Sequence, residues 1–289
     1  MLYTLQNEYL TVQISAQGAE VISVKSADGT EFMWQADARY WGKTAPWLFP
    51  ICGRLPSGAY TYGGKEYKMP NHGFARISTF KMAASGADFL TFALEPNAET
   101  RAMYPFEFSF EITYRLAGNT LSCALSATNR GEEAMPASFG GHPGFCVPVG
   151  GVGDYTDCYL EFSAPCTPRA VVFSENLLDS GERVPYTPAD GVRIPLSHEM
   201  FANDATFLTD VAEAVTLRST QTAHAVTVTY GKVPYLGIWA AYPAGDFVCV
   251  EPWHGMASPE GVTAFEEKPD LYWIASGESK TVEISMTFY

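Results

Sequence analysis

The sequence predicts an all-β protein, a large antiparallel sandwich or barrel with very little helix, and three observations carry that prediction. Apolar and polar residues alternate at period two along many short segments, the pattern of strands with one wet face. Gly, Pro and Asn punctuate those segments, as hairpin turns require. Helical periodicity is nearly absent, and many short strands without helices bury their apolar faces only in sandwiches or barrels.

Taken in order, Leu10, Val12 and Ile14 alternate with Thr11, Gln13 and Ser15 and give the first clear strand. A hairpin-like turn follows at Gly63-Gly64. The strongest alternation sets Phe106, Phe108, Phe110, Ile112 and Tyr114 against Glu107, Ser109, Glu111, Thr113 and Arg115. Gly118-Asn119 then makes a two-residue turn, and Leu121, Cys123 and Leu125 resume the pattern, so 106–128 reads as an antiparallel hairpin. The Pro-rich stretch from Pro165 to Pro195 reads as long excursions over the surface. Ser197 is placed to cap one helical turn over His198–Phe201. Strands return at Val226-Val228-Tyr230, at Leu236-Ile238 and at Val282, Ile284, Met286 and Phe288. No repeat, charge block or low-complexity linker divides the chain, which predicts one domain over 1–289.

The totals narrow the partners. With 289 residues, 47% of them hydrophobic, the chain can bury a large core. A net charge of -14 repels polyphosphate and anionic lipid, so neither nucleic acid nor membrane is the expected partner; a small neutral ligand is. Met1–Glu8 shows neither a basic start nor an apolar core, so no signal peptide is expected. No run of eighteen apolar residues occurs. Six cysteines without CxxC spacing read as reduced thiols of a cytoplasmic protein, not as zinc ligands or a disulfide frame.

Three stretches carry chemistry. Ala45–Arg54 ends an apolar run in Gly53-Arg54 and is followed by Asn71-His72-Gly73 in a polar turn, so Arg54 and His72 are candidates to share a cleft. Ser138–Phe145 sets His142 among three glycines and a proline, with little bulk to keep a ligand or another backbone away. Phe247–Gly255 carries Glu251 straight after an apolar run, at an expected strand end where a carboxylate seldom lies without a role. Plainer readings stand beside these: a turn histidine at 142, a surface ion pair at Arg54, a capping role for His72, loop amides for Glu251. Glu251 and His254 match no recognised zinc motif.

Gly53-Arg54, Asn71-His72-Gly73, Gly141-His142-Pro143, Asn203-Asp204 and Val250-Glu251-Pro252-Trp253, in that order and separation, resemble the aldose 1-epimerase (galactose mutarotase) family, and in particular its LacX-like bacterial branch. The resemblance runs from Trp41 to the closing strands. It implies a galactose mutarotase-like β-supersandwich with an open cleft, and exchange of the α and β anomers of a free hexose without metal or cofactor. It also implies Glu251 as general base, His142 as general acid, His72 as a second histidine at the ring oxygen, and Arg54, Asp204, Asn71 and Trp253 as substrate-binding groups. The motif here reads Glu251-Pro252-Trp253-His254, whereas the well-studied galactose enzymes carry a glutamine-containing sequence after that glutamate, so the preferred sugar stays open.

Ordinary proton affinities agree with that division of labour. At pH 7 a glutamate of pKa about 4.3 is ionised, and a histidine of pKa about 6.5 is protonated in roughly a quarter of molecules. Asp204 is expected to push His142 upward, and the pair is expected to flank a pyranose. Trp47 and Trp253 lie near these residues in sequence and are candidate sugar platforms. Arg54, Lys65, Lys68, Arg76 and Lys81 concentrate positive charge in one segment, which keeps a hexose-6-phosphate epimerase as an alternative. A non-catalytic sugar-binding or sensing protein is another. Either a monomer or a homodimer is compatible with the sequence.

Overall fold

The computed structural model describes residues 1–289 and is dominated by two antiparallel sheets. One has nine strands, ordered Arg193–Pro195, Cys158–Phe162, Ala214–Ser219, Val226–Thr229, Ser279–Phe288, Thr120–Asn129, Phe108–Ala117, Phe89–Leu94 and Lys81–Ser85. The other has eight: Asp179–Pro185, Arg169–Phe173, Thr206–Thr209, Tyr235–Trp239, Phe247–Trp253, Gly140–Gly141 and Trp47–Leu48, with Gly144–Cys146 also pairing the Phe247–Trp253 strand. A three-stranded sheet, Leu2–Gln6, Leu10–Ser15 and Val21–Ser26, the hairpin Ala59–Tyr62 with Lys65–Lys68, and the pair Met135–Ala137 with Tyr272–Ile274 complete the molecule.

The alternation in the sequence explains the first large sheet. In Phe108–Ala117 and Thr120–Asn129, Phe108, Phe110, Ile112, Tyr114, Leu121, Cys123 and Leu125 are fully buried, and Gly118 takes φ +55° at the turn, as a tight hairpin requires. The second sheet meets this face. Phe49 stacks on Phe110 at 4.3 Å, and the Trp47 indole donates to the Tyr114 hydroxyl. One cluster of 67 buried residues runs from Leu5 to Phe288.

The structure departs from the sequence reading in three places. Pro165 to Pro195 contains three strands, Arg169–Phe173, Asp179–Pro185 and Arg193–Pro195. Asp179–Pro185 and Arg193–Pro195 end the two large sheets and Arg169–Phe173 lies next to one end, where half-exposed strands need no clean alternation. The only α-helix, Ala98–Met103, begins at Asn97, whose side chain accepts from the Glu99 and Thr100 amides. At His198–Phe201 a 3₁₀ turn does form, but the Ser197 side chain makes no capping bond.

Candidate active site

Phe247–Trp253 is buried at every residue and carries Glu251 inside the strand, not at its end. Glu251 lies opposite Gly237; a Cβ there would come within 3.1 Å of the Glu251 Cβ and 2.6 Å of the Phe207 ring. Beside this strand, Gly140 pairs with Trp253 and Gly141 with Trp47. The glycines permit a close approach: a Cβ on Gly140 would sit 2.7 Å from the Pro252 oxygen, and one on Gly141 2.9 Å from the Trp47 ring. That approach delivers His142 to the carboxylate. Its backbone amide donates to the Pro46 oxygen at 3.0 Å, and its ring stacks on Trp41 at 4.9 Å.

His142 Nε2 lies 3.3 Å from Glu251 Oε2, and both line one cavity of about 250 Å³, a size for a small molecule. Burial pushes Glu251 well above its ordinary value, Asp204 adds to the push, and the Trp253 indole offsets part of it. That indole N–H nevertheless meets no acceptor at hydrogen-bond geometry, so its effect is the weak one of a nearby dipole. Burial also pulls His142 down to about 3. The expected ionised carboxylate and protonated imidazole are therefore corrected. The pair still holds one proton, but desolvation penalises the separated charges and leaves it on the carboxyl. Asp204 acts on Glu251, not on the histidine.

His72 is held differently. It has φ +65°, a left-handed backbone uncommon outside glycine. Its Nδ1 accepts from the Gly53 amide at 3.2 Å, and its own amide donates to the Gly53 oxygen at 2.9 Å. Burial keeps the ring neutral, far below its ordinary value. With Nδ1 accepting, the ring proton belongs on Nε2, and His72 is a donor. Its ring meets His142 at 5.7 Å and Trp253 at 5.1 Å.

All seven sequence-predicted residues line the same cavity: Glu251, His142, His72, Arg54, Asp204, Asn71 and Trp253. Three of their polar atoms are buried without a partner, Asn71 Oδ1, His142 Nδ1 and Trp253 Nε1. Buried polar atoms normally find one, so these three are exceptions within the site. Trp47 is not among the lining residues; it is core. Lys65, Lys68 and Lys81 are exposed on strands away from the cavity, so the basic segment divides. His254 is buried against the Tyr272 hydroxyl at 2.9 Å, outside the cleft. One trio of donors is close enough for a metal ion: His142, Cys249 and Glu251, within 4.8 Å of one another. Burial holds the Cys249 thiol well above its ordinary value, which disfavours the thiolate a metal needs.

Comparisons with known proteins bear on the chain as a whole. The aldose 1-epimerase family model matches residues 1–268. The chain belongs to the aldose 1-epimerase family. It is 34% identical to the plasmid LacX protein of Lactococcus lactis over 281 residues, covering 94% of each chain. The galactose mutarotase related enzyme of Lactobacillus acidophilus superposes with TM-score 0.95 at 36% identity, over 100% of this chain and 97% of that one. A galactose mutarotase-like protein of Lactobacillus casei gives 0.92 at 28% identity, over the whole of both. This family member is accordingly an isomerase of the mutarotase type, with the fold that the sequence resemblance implied.

Other walls of the cleft were silent in the sequence of this epimerase-family chain. Lys43, Trp239, Phe173 and Phe207 line it, yet none lies in a motif, and Trp41, where the resemblance begins, lines it with no role read from the sequence. Phe173 comes from the stretch read as a surface excursion. Trp41 and Trp239 pack on the His142 ring at 4.9 and 5.8 Å, a tertiary arrangement with no local signature.

Proposed function

We propose that this protein interconverts the α and β anomers of a hexose such as glucose or galactose, that Glu251 and His142 carry the proton transfers, and that residues 1–289 act as one domain. The single core from Leu5 to Phe288 supports the last point. The observation that carries the rest is the 3.3 Å contact between His142 Nε2 and Glu251 Oε2 at the floor of a small-molecule cavity.

The contact replaces the expected arrangement across a sugar ring. The hydroxyl that loses a proton and the ring oxygen that gains one are bonded to the same carbon, C1. Acid and base must therefore stand side by side. In ring opening, Glu251 takes the C1 hydroxyl proton as the C1–O5 bond breaks, and His142 delivers a proton to O5. C1 becomes the aldehyde carbon and turns about its bond to C2. In closure Glu251 returns a proton to the new C1 hydroxyl, and His142 recovers one from O5. No atom is gained or lost.

Opening leaves the pair as carboxylic acid and neutral imidazole, the distribution that burial favours. Burial thus favours the same form of the pair at rest and beside the open-chain sugar, and the charged form exists only in between. Before the first step the proton crosses from Glu251 to His142 through their contact, helped when the sugar hydroxyls supply polar partners for the charges. The donor His72 Nε2 supports O5, while Arg54, Asn71, Asp204 and Trp253 orient the ring.

Polarimetry of fresh α-glucose and α-galactose tests the proposal. Each positioned proton transfer is worth about 10²–10⁴-fold, so Glu251→Gln and His142→Asn are expected to slow enzymatic mutarotation by at least about a hundredfold. Rates like those of the wild type in both variants would remove the pair from the mechanism.

A further inference from the structure

The third glycine of the Ser138–Phe145 stretch is accounted for by Trp41. A Cβ on Gly144 would lie 2.9 Å from the Trp41 ring and 3.3 Å from the Cys249 sulfur, so the glycine admits the indole against the segment that carries His142. The indole is held from several sides. The Trp41 amide donates to the Asp37 oxygen at 2.9 Å, and the Trp41 oxygen accepts from the Trp34 indole at 2.8 Å. Its ring lies on Phe247 at 5.5 Å and 18°, meets Trp239 at 5.5 Å, and stacks on the His142 ring at 4.9 Å with 25° between the planes. The same segment brackets the histidine by its backbone: the Thr44 oxygen accepts from the Gly144 amide at 2.8 Å, as the Pro46 oxygen does from His142.

A histidine that passes protons commonly has its second ring nitrogen fixed by a carboxylate or a carbonyl. Here Nδ1 is buried and meets no partner; the backbone oxygen of His142 itself favours a charged ring without being hydrogen-bonded to it. The surrounding charges help little. Glu251 faces the ring at 3.3 Å and, once ionised, favours a proton there, while Asp204 acts on that carboxyl. His72, at 5.7 Å, is neutral, Cys249 keeps its proton, and the charge of Arg76 opposes one on His142. A protonated His142 nevertheless has to exist between the resting and the open-chain forms of the pair. The face of Trp41 is placed to hold it. An indole carries negative potential above its plane and attracts a cation within about 6 Å of its centre, most strongly where water is excluded.

We propose that Trp41 is a positioning residue of the acid–base pair: its indole face sets the plane of the His142 ring so that Nε2 meets Glu251, and it favours the imidazolium while the proton is in transit. The proposal rests on the mutarotase reading above, with His142 as proton donor. Trp41 also lines the cleft, so the competing role is a platform for the sugar. The two roles separate in kinetics. A residue that acts through His142 changes kcat, whereas one that stacks equally on substrate and transition state changes KM alone.

Anomer exchange of glucose and galactose, followed by NMR with the full-length protein, tests this. Trp41→Leu is expected to lower kcat about tenfold or more, the worth of a desolvated cation–π contact, with KM kept within about threefold. Trp41→Phe retains a weaker face and is expected to recover part of that loss. Tryptophans of increasing ring fluorination, placed at position 41 alone, keep the shape and drain the negative potential from the face, so kcat is expected to fall stepwise along the series. A kcat indifferent to fluorination would overturn the proposal, as would a wild-type kcat in Trp41→Leu or a loss confined to KM. If Trp41→Leu does not fold, the fluorinated series decides alone. Failure of the mutarotase reading looks different: no exchange by the wild-type protein, or wild-type rates in both Glu251→Gln and His142→Asn, would remove the pair and this inference with it.

Discussion

At the residue scale, Glu251 shows how a reactive group is held against its own preference. Its side chain is almost wholly buried, and the folded state keeps its proton to a higher pH than the ordinary 4.5. From that value upward the unfolded chain binds fewer protons than the native one, so stability falls as pH rises through the window between the two affinities. Glu251→Gln removes this penalty. Its melting temperature is expected to exceed that of the wild type at pH 7, while at pH 3.5, with both states protonated, the difference disappears. Calorimetry at the two pH values checks it, and a Gln variant less stable at pH 7 would contradict the assigned direction. Gly73 makes the backbone counterpart. It has φ +72°, and a Cβ there would lie 2.1 Å from the Phe49 oxygen. Gly73→Ala is therefore expected to cost at least about 2 kcal/mol in urea unfolding; a loss below a few tenths would show that the loop yields freely.

Elements carry these residues to one place. Glu20 is buried and accepts from the amides of Thr44 and Ala45 at 2.6 and 3.0 Å, beside the Lys43 ammonium. It fixes the segment whose Pro46 oxygen receives the His142 amide. Glu20→Ala leaves two buried donors unpaired, a loss of about 2–4 kcal/mol, and mutarotation is expected to fall with it. Denaturation midpoints and kcat measured on the same preparation test the link, and unchanged values in both would break it. Strands with one buried face were legible because their alternation is dictated by burial itself, as in 108–129. The helix Ala98–Met103 was missed although Asn97 and Thr100 form a capping box: six residues are too few to show a period. The strands between 169 and 195, at or next to the sheet ends, were missed because partly exposed strands impose little pattern on their residues.

At the scale of the whole molecule, the site is an intersection. Arg54 and His72 come from the connections before and after the Ala59–Lys68 hairpin, His142 from the residue after a two-glycine strand, and Glu251 from a strand buried at every residue. Asp204 comes from the turn before Thr206. The motif residues could be read from the sequence because their order and separation are distinctive. The protonation of the pair could not, because it depends on desolvation that only the assembled core supplies. For the same reason the division of the basic segment was hidden: it splits between cleft and surface only once the strands are placed. The central claim is that Glu251 and His142 work as one unit, and a kinetic double-mutant cycle measures it directly. Groups acting as a unit lose most of their effect when either is removed. Anomer exchange by NMR is expected to be no slower in the double variant Glu251→Gln/His142→Asn than in the slower single variant. Losses that multiply, or wild-type exchange in either single variant, would contradict the account.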